Sequence, residues 1–96
     1  MNRTNFPQNG LSVESTVVVK AEYHADSHSV KVTINGSPFE SASSVTREAN
    51  AARAVDILME LESTLIHMYN ADSEEVERLI GAARDKLVSK RGRPQN

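Results

Sequence analysis

The chain has 96 residues, no cysteine, and eleven Lys and Arg against thirteen Asp and Glu, for a formal charge of −2. That length holds one domain; the absence of cysteine excludes disulfides, thiolate metal sites and a thiol nucleophile, and the near-neutral charge gives no global attraction to nucleic acid or anionic lipid. Val, Leu, Ile and Phe together supply 22 residues, enough for a thin core.

Residues 1–10 hold three Asn, one Gln, one Pro and one Gly around a single large apolar side chain, Phe6. This composition predicts a flexible N-terminal arm, since little surface is available to offset the ordering entropy. No apolar stretch of signal-peptide length follows, and no run of large apolar residues, Val17-Val18-Val19 included, exceeds three. A membrane span is excluded and a cytoplasmic location is expected.

From Leu11 the pattern has a period of two. Val13, Ser15, Val17, Val19, Ala21 and Tyr23 share one parity; Thr16, Val18, Lys20, Glu22 and His24 share the other and are mostly polar. This predicts one strand with a core face and a solvent face. After a polar turn at residues 24–28, Val30, Val32 and Ile34 point inward in a second strand, paired antiparallel with the first. Asn35-Gly36 is a strong turn signal, and Ser37 to Glu40 offers a brief third strand that Pro38 would confine to an edge.

Ser43 or Ser44 then caps a helix. From Val45 to Tyr69 there is no Gly or Pro, and Ala54, Leu58, Leu61, Leu65 and Met68 recur at helical spacing, with Ala51 and Val55 extending the stripe upstream. Ile57, Met59 and Ile66 fall outside it, and Met59 and Ile66 share a second face. A second helix starts at Asp72, with Glu75 as its capping-box partner and Ala71 and Val76 as a hydrophobic staple. Val76, Leu79, Ile80, Ala83 and Leu87 form its apolar stripe, and Gly92 can end it. The short Asn70-Ala71 link makes the two helices an antiparallel hairpin.

The expected architecture is therefore α+β: an antiparallel two- or three-stranded β-sheet, then a long helix and a second helix forming an antiparallel helical hairpin. The arm occupies 1–10, the single domain 11–90, and a basic C-terminal tail 91–96. A ribbon-helix-helix arrangement uses one strand per protomer and shorter helices, so a hairpin before a 25-residue helical stretch argues against it. The second apolar face predicts a homodimer through Met59 and Ile66.

Chemistry-bearing patterns are sparse. His24, Asp26 and His28 have metal-ligand side chains, but a turn breaks their common face and no fourth ligand lies near in sequence. Ser27 or Ser29 beside them lacks the elbow and oxyanion donors of a hydrolase. Gly10, Gly36, Gly81 and Gly92 are too dispersed to cradle a phosphate. The carboxylate pairs Glu60/Glu62 and Glu74/Glu75 fall on solvent-facing helix positions. The reading is a non-enzyme without cofactor.

Charge is segregated instead. Asp56, Glu60, Glu62, Asp72, Glu74, Glu75 and Glu77 lie in a span with no Lys or Arg, whereas five bases against one acid follow from Arg84. The acidic span is a candidate surface for a basic protein or nucleoprotein partner. The expected function is thus a small regulatory or inhibitory binding protein of the phage or mobile-element accessory kind, acting by contact on a larger assembly.

Two short strings resemble known families. Arg91-Gly92-Arg93-Pro94, preceded by Lys90, resembles the core of an AT-hook. That likeness implies two guanidinium groups in the minor groove of A·T-rich DNA, with Gly92 permitting close approach. Hooks usually carry further bases after the proline, where this chain has Gln95 and Asn96. Val30-Lys31-Val32-Thr33-Ile34-Asn35-Gly36 is similar to a strand and turn in a family of small bacterial nucleoid-associated dimers. That family places a long helix before its strands, whereas here an arm and a strand precede them.

Overall fold

The computed structural model describes residues 5–15 and 18–87. Four strands, β1 (Leu11–Glu14), β2 (Val19–His24), β3 (Ser29–Ile34) and β4 (Ser37–Pro38), form one antiparallel sheet in the order β1-β2-β3-β4. A 3₁₀ turn at Phe39–Ser41 leads into α1 (Ser44–Ser63), a π-helical turn at Thr64–Met68 and α2 (Ser73–Leu87). The fold is α+β, with the sheet first and the helical hairpin after it, and no helix precedes the strands among the described residues.

The continuous strand expected from Leu11 to Tyr23 is in fact a hairpin. Leu11 lies opposite Tyr23 and Val13 opposite Ala21, and the Ser15 N–H bonds the Val19 carbonyl at 3.1 Å. No Gly or Pro marks this turn, and the alternation runs through it in phase, so period alone could not reveal it. Register between β2 and β3 places Ala21 opposite Val32 and Tyr23 opposite Val30. Val19, Ala21, Tyr23, Val30, Val32 and Ile34 are all buried on the helix side. The other face carries charge: Lys20 reaches Glu22 at 3.3 Å and Glu14 at 3.8 Å. Asn35 and Gly36 both have positive φ, 55° and 84°, the conformation of a primed two-residue hairpin turn. The third strand of the sequence reading is the two-residue edge β4.

Ser43 caps α1: its hydroxyl accepts the Thr46 N–H at 3.2 Å. Ala54, Ile57, Leu58, Leu61 and Leu65 are buried. Ile57 thus belongs to the core stripe rather than outside it, because a helix on a sheet buries an arc of about 100° or more. Met68 leaves the stripe and is 77% exposed. The reason lies in the π turn, where the Tyr69 N–H reaches five residues back to the Thr64 carbonyl at 3.2 Å. Thr64 opens this turn; the Glu60 carbonyl accepts both its backbone N–H and, at 2.9 Å, its hydroxyl. A wider turn rotates Met68 away from the position that α-helical spacing assigns it. The predicted 25-residue helix is therefore 20 α-helical residues and one π turn.

Asn70 at φ 61° closes this end in the left-handed conformation, and the Ala71 N–H bonds the Leu65 carbonyl at 2.9 Å. Ala71 and Val76 are both buried at the start of α2, in the staple positions. α1 packs on β1 and β2 and α2 on β3, so the helices cover one face of the sheet. No polar residue is buried among the described residues.

Residues 5–10 lie against this framework. The Asn5 side-chain amide donates to the Asn70 carbonyl at 3.1 Å, and Phe6 stacks on Tyr23 with ring centroids 5.2 Å apart. Gly10, at φ 86°, sits so close to β2 that a Cβ there would lie 2.8 Å from the Tyr23 carbonyl oxygen.

Candidate functional site

The acidic span maps onto the outer surface of α1, the corner between the helices and the first turns of α2. Asp56, Glu60, Asp72, Glu74 and Glu77 are exposed, and Glu62 is half-buried. None of these six forms an ion pair among the described residues. Asp72 acts partly as a cap, its carboxylate accepting the Glu74 N–H at 3.4 Å. Met68 and Tyr69 (37% exposed) lie within the same span, at the corner, and Met59 is 47% exposed on α1.

Glu75 departs from the group. Its carboxylate accepts from His28 Nε2 at 2.9 Å and pairs with Arg78. As the third helical residue it was expected to reach back to the cap, but it crosses to the β2–β3 turn instead. The His28 and Arg78 bonds hold its carboxyl below the usual carboxylate range, the His28 hydrogen bond being the larger cause.

His28 is the centre of a small node. Its Nδ1 lies 2.9 Å from the Tyr23 hydroxyl, and Phe6 meets the ring edge-on at 4.9 Å. Nε2 donates to the Glu75 carboxylate, and Nδ1 shares the proton of its bond with the Tyr23 hydroxyl. Burial, and then the Glu75 charge, push the Tyr23 phenol above its ordinary pKa, so it keeps its proton. Both imidazole nitrogens are engaged, which leaves neither free for metal ligation or proton transfer without breaking a bond. The node joins the arm, β2, the β2–β3 turn and α2, and none of its contacts was read from the sequence. The positive φ of His28 (50°) turns it toward partners that lie 5 and 47 residues away.

His24, Asp26 and His28 do not converge. His24 pairs with Glu22 at 3.1 Å, on the polar face of the sheet, and His28 belongs to the node. Among the described residues no three His, Asp or Glu side chains are arranged to hold a metal ion. Met59 and Ile66 differ in environment: Ile66 is half-buried against the core of its own chain, whereas Met59 is open to solvent. Lys90, Arg91, Gly92, Arg93 and Pro94 lie outside the described residues. No described helix is long and apolar enough to cross a membrane. No known protein family, curated protein or solved structure matches the chain.

Proposed function

We propose that this chain is a small non-enzymatic binding protein that acts in the cytoplasm by direct contact with a larger, basic protein or nucleoprotein assembly. The observation that supports this reading is that Asp56, Glu60, Asp72, Glu74 and Glu77 are exposed and form no ion pair among the described residues, with Met68 and Tyr69 exposed in the same span. Charge would bring a basic partner to the helical hairpin and orient it, while the Met68 and Tyr69 side chains would be desolvated on contact. Regulation or inhibition would follow from occupying the partner's basic surface. The reading includes self-association through Met59, with Ile66 beneath it, as the means of presenting two such surfaces.

Capture from a cell lysate on the immobilised chain, with and without nuclease, tests it. A basic protein retained after nuclease treatment, and lost with the isosteric triple variant Asp56→Asn, Glu60→Gln, Glu77→Gln, is the expected result. Retention that depends on nucleic acid and survives those substitutions would instead favour the Arg91-Gly92-Arg93-Pro94 tail. That second reading predicts preference for A·T-rich over G·C-rich duplex, because the guanine amino group obstructs the minor-groove floor.

A further inference from the structure

Residues 5–10 cross the end of the molecule where the β2–β3 turn meets the helical corner. Phe6 stacks on Tyr23 and meets His28 edge-on, with ring centroids 5.2 and 4.9 Å apart, and Tyr23 meets the same imidazole edge-on at 5.8 Å. Pro7 beside it is buried, and the Asn5 amide holds the Asn70 carbonyl, 65 residues away, at 3.1 Å. Asn70 is the left-handed residue that reverses the chain between the π turn and α2. One six-residue segment therefore touches β2, the β2–β3 turn and the corner.

The segment is fixed at one end and lightly held at the other. Gly10 has φ 86°, and a Cβ there would lie 2.8 Å from the Tyr23 carbonyl oxygen; Leu11 then opens the β1 ladder opposite Tyr23. Toward Asn5 the contacts are open to water: Asn5 and its hydrogen bond are exposed, and Phe6 is half-buried. A solvent-open cleft of about 400 Å³ runs between Phe6, Pro7 and Gln8 on one side and Tyr23, Ala25 and His28 on the other. Ordering six residues costs entropy of the same order as such contacts return.

We infer that residues 5–10 are a strap that opens locally about Gly10, with Phe6 as its latch, and that the closed strap steadies the helical corner. Lifting Phe6 uncovers Tyr23 and His28 and frees the Asn70 carbonyl in one step. Whatever takes hold of the arm therefore also loosens the turn next to Met68 and Tyr69. This coupling is a property of the chain alone and does not rest on the function proposed above.

Amide exchange of the full chain, followed residue by residue across a urea series, tests the strap. The Tyr69 and Ala71 amides close the corner on the Thr64 and Leu65 carbonyls at 3.2 and 2.9 Å, whereas Leu58 and Leu61 are fully buried in α1. Exchange at Tyr69 and Ala71 should depend weakly on urea, since a local opening exposes little surface, and exchange at Leu58 and Leu61 steeply. Phe6→Ala should speed Tyr69 and Ala71 about fivefold. Ser43→Ala, which removes the α1 cap and lowers global stability, should speed Leu58 and Leu61 and leave the corner amides as they were. Three results overturn the proposal: corner amides unchanged in Phe6→Ala, a urea dependence at the corner as steep as in α1, or corner amides that respond to Ser43→Ala as much as to Phe6→Ala. The last two would mean that the corner opens only with the whole molecule.

Discussion

Glu75 shows how one carboxylate can tie together elements far apart in the chain. It draws the first turn of α2 onto the β2–β3 turn through His28, and the Tyr23 hydroxyl and the Phe6 ring close around the same imidazole. Because its folded pKa is depressed, its contribution to stability is complete above the unfolded carboxylate value of about 4.3. That contribution is lost as pH falls through the lower folded value. The wild-type melting temperature should therefore drop more steeply than that of Glu75→Gln as pH falls below the unfolded carboxylate value of about 4.3, and the two curves should draw together as pH passes the lowered folded value. Parallel curves across that range would show that the His28 and Arg78 bonds contribute nothing to the folded state. Sequence reading placed Glu75 correctly at the third position of α2 but gave it a capping role. The His28 partner was hidden because the two residues are 47 apart and are joined only by the complete fold.

At the level of elements, the helical hairpin depends on how α1 ends. The alternation of β3, the Asn35-Gly36 turn, the Ser43 cap and the Ala71–Val76 staple were all legible, because each is decided by neighbours a few residues apart. The β1–β2 hairpin and the π turn were not. The first lacks a turn residue, and the second is a single shift of hydrogen bonding from four to five residues back, which leaves no mark on hydrophobic spacing. Its consequence is that Met68 is exposed to solvent within the acidic span. Asn70, at φ 61°, then has to reverse the chain. Asn70→Ala should destabilise the protein by about 1–2 kcal/mol, the left-handed penalty of an ordinary residue, and lower the melting temperature by roughly 4–8 °C per kcal/mol. Asn70→Gly should be near neutral. Thermal unfolding of both variants checks this, and equal losses would mean that the side-chain amide, not the backbone conformation, matters there.

For the molecule as a whole, the sheet and the helical hairpin divide labour. One side of the sheet and the inner faces of both helices form the core, whereas the outer helix surface concentrates negative charge and exposed Met59, Met68 and Tyr69. The sequence identified the acidic span, since charge segregation is visible without a fold. It did not show that Glu75 is withdrawn from the surface, or that the remaining acids lack cation partners among the described residues. This surface is where we propose that a basic partner binds. Hydrogen–deuterium exchange of the full chain, alone and with a captured basic protein, measures it directly. The claim predicts slowed exchange confined to Asp56–Glu77, with residues 18–24 of β2 and its approach unchanged. Slowing confined to β3, or no change anywhere in Asp56–Glu77 at saturating partner, would contradict it.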